Sequence, residues 1–441
     1  MIVPVRVIFS SSDGAHLNLN DLRRSFIAYM LAKKYHGSYI FRLDNIQQKG
    51  EKNSNLKLYA YEDLVWLGLN ADESPLNPNP IFSPYVQSER LDIYQRYIDK
   101  LLAMQVAYKK IPPREKGASL TETRPAIYFR MGSLGDSAIT DLRLEKIPLE
   151  KMDTRDWVIV NGSGQPTVEF AAMVDDHLMI ITHIVSESDN LSNFGRYIAL
   201  YRALNWPIPA FLHLPNIKWE GESEEKLVYK LREEGYVPEA ICQYLYHLDF
   251  GEKGTNKVCD LDDLVKEFDI IKMKAGHQRF DIRALRKINS AHIKQMTNLS
   301  YTAFIRPFVK TLASDLYSDD YLFKLANIYK TQISYGREIL DYLGPFLLKN
   351  PDFTPREQQL INNAQFAISS FKEALSEFDL DVTNFSELIA SVQKKTGIAG
   401  ASLYQPLRLV ITHMDRGPEL EEIIKFLGKE ETLSRLNQYN D

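Results

Sequence analysis

The sequence predicts an α/β protein carrying a small α+β insertion and followed by an all-α C-terminal half. Strand-like and helix-like segments alternate up to about residue 105, which implies a parallel sheet with right-handed crossovers. Short alternating strands broken by Gly and Pro occupy 108–173, and helical spacing dominates from Leu227 onward.

Val3, Val5, Val7 and Phe9 form a run suited to a buried strand, and Ser10 to Gly14 is turn chemistry. Leu17, Leu19, Leu22, Phe26 and Met30 then recur near helical spacing. A strand feeding a helix N-terminus presents unpaired N–H groups and partial positive charge, which suits phosphate or carboxylate. Such turns are also common in parallel α/β proteins that bind nothing there. Phe41 to Gln47 closes a second strand, Trp66 to Glu73 follows a helix, and Pro84 to Tyr94 opens another. Ala126–Arg130 and Trp157–Val160 are the short strands of the insertion. The parallel pattern returns at Phe170 to Leu214, with an apolar strand over Leu178 to Val185 and a helix from Ser192 to Leu204. Ser192 is the expected N-cap of that helix. Further on, Phe250 to Asn256 reads as a loop, and Pro307, Gly344-Pro345, Asn350-Pro351 and Gly397 to Gly400 punctuate the helices.

A length of 441 residues with 44% hydrophobic side chains suits two or three domains with ample cores. No apolar run approaches the roughly 18 residues of a membrane span, and the N-terminus reads as a strand entrance rather than a signal peptide. No membrane association and a cytoplasmic location are expected. Cys242 and Cys259 lack a CxxC partner, so neither a disulfide framework nor a zinc site is expected. A net charge of −5 neither announces nor excludes nucleic acid, because phosphate binding needs only a local basic face. The densest basic stretch is Lys272, Lys274, His277, Arg279, Arg283, Arg286, Lys287, His292 and Lys294. A monomer is expected, and the sequence names no protein partner.

Several separated segments then fall into one order: Phe41 to Gln47, Trp66 to Glu73, Pro84 to Tyr94, Val174 to Met179 with Ile181-Thr182-His183, and Leu191-Ser192-Asn193. They continue with Leu204-Asn205-Trp206, His213-Leu214-Pro215, Arg232 to Ala240, Leu403 to Arg408 and Gly417-Pro418. In that order and at those intervals the chain resembles the bacterial glutamyl-tRNA synthetases over essentially its whole length. The resemblance implies a Rossmann-like class I synthetase catalytic domain in two halves, 1–107 and 174–220, split by an acceptor-end-binding subdomain at 108–173. It further implies a stem-contact region at 221–305 and a helical anticodon-binding domain at 306–441. The implied partner is tRNA, contacted by Arg42, Arg279, Arg283, Arg286, Lys287 and Arg416. Arg416-Gly417-Pro418 reads either as a base-recognition turn or as a plain turn between helices. Members often carry zinc-type cysteines after the segment matching Ala107-Tyr108, where this chain has Lys109-Lys110-Ile111-Pro112-Pro113.

Such a synthetase activates an amino acid with ATP chiefly by positioning and by cations that stabilise charge growing on the phosphates. Ungapped alignment from Phe9 to Phe26 sets Asn18-Leu19-Asn20-Asp21 on the family's His-Ile-Gly-Gly type signature. The catalytic histidine becomes Asn18, and the glycines that let adenine lie against the helix become Asn20 and Asp21. His16 reaches the histidine's place only by a register shift with a gap on either side. The lysine-rich signature loop is replaced by the shorter, acidic Asn216 to Lys226, in which only Lys218 and Lys226 offer cations. The implied glutamate pocket is Ile8, Ser12, Asp44, Val168, Ala172 and Ser186. Ile8 and Ser186 stand for arginines, Val168 for a tyrosine and Ala172 for an asparagine, while Ser12 is kept and Asp44 shortens a glutamate. A carboxylate removed from water without a cation costs several kcal/mol, so free glutamate is not expected to bind in the family's pose. ATP and Mg are expected only if ligase activity survives. Three readings follow: a tRNA-binding paralogue that does not activate glutamate, an enzyme reusing the fold on another acid or on charged tRNA, and a diverged active glutamate–tRNA ligase.

Overall fold

The apolar start of the chain builds the central strand of a parallel sheet. The computed structural model describes residues 4–12, 14–46, 58–111, 125–132, 134, 138–143, 145–148, 152–187, 191–218, 227–251, 257–312, 316–349, 351–378 and 385–439. In chain order the elements are β1 (Arg6–Ser11), α1 (Leu19–Lys34), β2 (Ser38–Leu43), α2 (Tyr59–Trp66), α3 (Leu91–Ala103), β3 (Ala107–Lys110) and β4 (Ala126–Phe129). Next come β5 (Ala138–Asp141), β6 (Glu145–Pro148), β7 (Trp157–Val160), α4 (Val168–Leu178), β8 (His183–Glu187), α5 (Leu191–Ala203) and β9 (Ala210–Leu214). Helices follow: α6 (Leu227–Glu234), α7 (Pro238–Phe250), α8 (Leu261–Glu267), α9 (Ile282–Gln295), α10 (Asn298–Val309) and α11 (Asp319–Ile328). The last are α12 (Ile339–Leu347), α13 (Pro355–Asn363), α14 (Gln365–Glu377), α15 (Phe385–Thr396), α16 (Ala401–Thr412) and α17 (Leu420–Asn437). The chain forms two compact units, Met1–Leu231 with Pro238–Ile282, and Arg232–Val237 with Arg283–Asp441.

In the first unit the main sheet runs β2-β1-β8-β9-β5-β6, parallel throughout except for the β5/β6 pair. Strand order reverses at β1, which opens a crevice at the carboxyl ends of β1 and β8. A second sheet, β3-β4-β7, is antiparallel. The insertion is therefore divided: β3, β4 and β7 make the small sheet, whereas β5 and β6 extend the main one through the pairing of Asp141 with Phe211. The expected strand over Leu178–Val185 starts only at His183, because α4 continues to Leu178 and turns back at Ile180 with φ +54°. Ser192 lies inside the first turn of α5 rather than ahead of it. The compact units part between Ile282 and Arg283, within the region 221–305.

Charge is buried at the heart of this unit. Arg42, on β2, donates to Asp44 (2.6 and 3.1 Å) and to Asp176 of α4 (2.8 Å), while Arg90, just before α3, donates to Asp175 (2.6 Å). Tyr94 completes Asp175 at 2.7 Å and Tyr197 completes Asp176 at 2.9 Å. Arg42 is only 1% exposed, so the expectation that it contacts tRNA is corrected: its guanidinium is enclosed by carboxylates and cannot reach a phosphate.

In the second unit Gly235 and Gly336 meet backbone to backbone, the Gly336 amide donating to the Gly235 carbonyl at 2.8 Å. A Cβ on Gly235, whose φ is +78°, would stand 2.8 Å from the Gly336 Cα, so the crossing admits no side chain. Asn289 accepts from the Val237 amide (2.7 Å) and donates to the Ser334 carbonyl (2.6 Å), joining α9 to both segments.

Removing one partner from a buried ion network leaves uncompensated charge. Arg42→Met is expected to lower the unfolding free energy by about 3–5 kcal/mol, read as a lower urea midpoint at unchanged slope. Burial also pushes the Asp175 carboxyl up to about 6, against the lowering influence of Arg42 and Arg90. The folded value exceeds the ordinary 3.8, so folding takes up a proton between the two. This contribution to stability is full below about pH 4 and lost as pH rises through about 6. The Asp175 carboxyl carbon resonance should titrate with a midpoint near 6, and a midpoint in the ordinary aspartate range would contradict the assignment.

Candidate functional site

The loop after β1 is closed by its own groups. Ser11 Oγ accepts from the Gly14 amide at 3.2 Å, and Gly14 holds φ +66°. Asn18 is the N-cap of α1, its side chain accepting from the Asp21 amide at 2.8 Å. Asn20 Oδ1 accepts from the Ile217 amide at 3.0 Å, which ties the start of α1 to the segment after β9. Asp21 pairs with Arg24 at 2.5 Å, and Leu19 is buried. His16 is held by the protein itself: its Nδ1 is 3.1 Å from both oxygens of buried Asp63, and its ring lies 4.7 Å from those of Tyr59 and Tyr229. The Val228 amide donates to the Leu17 carbonyl at 3.4 Å, bringing α6 onto the same loop. Deeper in, Arg23 donates to Asp249 (3.1 and 3.0 Å through Nε, 2.5 Å through Nη2) and to the Pro215 carbonyl at 2.5 Å. The polar side chains at the start of α1 are thus committed to neighbouring protein groups. Lys218 is exposed; Lys226 and the four glutamates from Glu220 to Glu225 lie outside the described residues.

Of the six residues expected to form a pocket, three are brought together. Val168, Ala172 and Ser186 line one cavity of about 270 Å³, together with Glu169, Met173, Ile184, Phe194, Tyr197, Phe211 and His213. Among the described residues no Lys or Arg lines it, and the exposed Glu169 is its carboxylate. Ile8 does not line it. It packs with Ile40, Tyr85, Met179 and Ile181, and reaches the cavity only through its register partner Ile184. Asp44 is also displaced from the pocket, because Arg42 engages both its oxygens in the buried network. Ser12 is exposed at the loop.

Sequence reasoning missed two polar residues here. His213 Nδ1 is 2.8 Å from Asp141 Oδ2, and the same oxygen accepts from the His213 amide at 3.0 Å. Both side chains are buried, at 2% and 0% exposure. Seventy-two residues separate them, and only the β5/β9 pairing makes them neighbours; no spacing rule signals that.

The basic residues divide between the units. Arg279 is exposed in the first, beside Lys218, whose backbone bonds Gln278 and Phe280. In the second, Arg283 and Lys287 are exposed one turn apart on α9. Arg286 is half-buried; its Nε donates to the Tyr236 hydroxyl at 3.2 Å, and its guanidinium lies 4.9 Å from the Tyr335 ring centre. His292 is buried and pushed down to about 4 by desolvation, so it adds no charge at neutral pH. Arg416 is exposed beside Gly417 in the turn between α16 and α17.

Residues 4–126 and 116–287 match the family described as tRNA synthetases class I (E and Q), catalytic domain, and residues 300–440 match the anticodon binding domain. A glutamate–tRNA ligase of Limosilactobacillus fermentum is 28% identical over 491 residues, covering 98% of this chain and 97% of that protein. The crystal structure of a glutamate tRNA ligase from Elizabethkingia meningosepticum in complex with its amino acid matches with a TM-score of 0.82 at 24% identity, over 99% of each chain. A glutamate-tRNA synthetase from Elizabethkingia anophelis matches at 0.81 and 25% identity, over 99% of this chain and 100% of that one.

Among the described residues the cavity presents a carboxylate and no cation, which offers a free dicarboxylic amino acid little. Millimolar glutamate is expected to leave the thermal midpoint unchanged, whereas occupancy at 100 times Kd would add about 2.7 kcal/mol of stability and a plain upward shift.

Proposed function

The chain belongs to the class I tRNA synthetases of the E and Q type, and from that membership we propose that it is a glutamate–tRNA ligase-like protein that binds tRNA without activating glutamate with ATP. The observation that carries this reading is the start of α1. Asn18 stands where the family has its histidine and spends its side-chain oxygen on the helix cap, while Asn20 is bonded to Ile217 where adenine would need small residues. No imidazole from this signature is left to stabilise charge on a phosphate, since His16 is held by Asp63 between two tyrosine rings. The cavity beside Ser186 supports the same conclusion from the amino-acid side, because a side-chain carboxylate would enter it without a counter-charge.

Binding of tRNA is supported by the anticodon-binding match and by exposed cations at Arg279, Arg283, Lys287 and Arg416. Phosphate contact needs no base readout, so these residues act on every tRNA alike. Arg286 is better suited to holding Tyr236 and Tyr335 together than to reaching a phosphate.

Two measurements test the proposal. ATP/pyrophosphate exchange with glutamate is expected to be absent with or without tRNA; exchange at a rate usual for a ligase would overturn it. Binding of tRNA is expected to fall steeply with salt, and Arg283→Ala with Lys287→Ala should lower the slope of log K against log salt by about 2. An interaction insensitive to salt would remove these residues from the interface.

A further inference from the structure

The cavity lined by Val168, Ala172 and Ser186 holds a hydroxyl in a place with chemical consequences. Ser186 on β8 is the register partner of His213 on β9, so the two side chains leave the same face of the sheet on adjacent strands about 4.8 Å apart. Both line the 270 Å³ cavity. Asp141 lies on β5, the strand on the other side of β9. It holds His213 through Nδ1 at 2.8 Å. With Nδ1 held by Asp141, Nε2 is the ring nitrogen left to act as base in the cavity that Ser186 also lines.

The geometry points to Ser186, His213 and Asp141 as a nucleophile, base and orienting acid that cleave small α-aminoacyl esters. Ser186 and His213 share one row of the sheet, and Asp141, paired with Phe211 two residues earlier, reaches His213 from the next strand, so the three roles lie on three neighbouring strands in the order that such chemistry needs. Ser186 makes no hydrogen bond to His213 in this structure, and rotation about its single χ1 closes the contact, as is usual for unliganded sites. Phe194, Phe211, Val168 and Ala172 leave room for a small apolar side chain, and Glu169 supplies the charge to receive an α-ammonium group. In the step, Ser186 Oγ bonds to the ester carbonyl carbon as its proton passes to His213 Nε2. The bond from that carbon to the leaving alkoxy oxygen then breaks, and this oxygen takes the proton. Water repeats the sequence on the acyl-serine, releasing the free amino acid and restoring the hydroxyl. No ATP enters, which agrees with the committed groups at the start of α1.

The ester could be free or could be the 3′ end of a charged tRNA, and two arms separate these sources. L-Alanine ethyl ester tests the first without any tRNA, so its outcome stands apart from the tRNA-binding proposal. A pool of radiolabelled aminoacyl-tRNA tests the second by loss of acid-precipitable label. Turnover of either substrate is expected, with Ser186→Ala lowering kcat/KM by at least about 100-fold. As a check independent of turnover, Ser186→Cys should be alkylated by iodoacetamide at residue 186 with a pH midpoint below the ordinary thiol value of about 8.5, because His213 stabilises the thiolate. No turnover in either arm, turnover that survives Ser186→Ala, or an ordinary midpoint for the cysteine would each overturn the assignment.

Discussion

The buried arrangement of Arg42 and Arg90 with Asp44, Asp175 and Asp176 is the constraint on which the first unit depends. It joins the end of β2, the start of α3 and the last turns of α4, so the strand beside the crevice and the helix above it cannot shift independently. Charges taken out of water repay their desolvation only with good geometry and complete hydrogen bonding. Tyr94 and Tyr197 complete that bonding. Such a network serves register more than stability, since a sheet slipped by one residue would turn Arg42 to the wrong face.

That fixed frame makes the architecture independent of what lines the crevice. The frame lies beneath the crevice and is satisfied internally, whereas the groups that would meet ligand project from the ends of β1, β8 and β9 and from the start of α1. Substitution there costs the fold little. Asn18 makes a better helix cap than an imidazole, and Ser186 is small enough to sit among Ile184, Phe211 and His213 without repacking. The chemistry of the crevice can therefore drift without the sheet being lost.

Periodicity and turn chemistry made the alternating first half and the helical second half legible, because strand and helix spacing depend on neighbouring residues alone. Val168, Ala172 and Ser186 were recovered as neighbours because a resemblance maps positions onto a shared scaffold. The failures come from burial and from long-range pairing. Arg42 reads as a surface cation in a linear chain, and nothing nearby in sequence reveals that Asp176 waits 134 residues away. Ile8 was placed in the pocket by alignment, but an isoleucine has no reason to reach outward and joins the core instead. The apolar run at Leu178 to Ile181 satisfied a strand pattern while belonging to the end of a helix and its turn, an ambiguity that short apolar runs cannot escape. The pairing of β5 with β9, and with it the Asp141–His213 contact, follows from topology alone.

The buried pair between Arg23 and Asp249 bears on how firmly the corner at the start of α1 is held. A lid that opens and closes around a ligand is drawn from the least stable parts of a protein, with solvated hydrogen bonds and few buried contacts. Here the base of the corner is an ion pair with side chains 2% and 0% exposed, tied further to the Pro215 carbonyl. Separating the two would leave an uncompensated buried charge, so α1 and α7 are expected to exchange their amide hydrogens together with the core rather than ahead of it. The corner behaves as masonry rather than as a door.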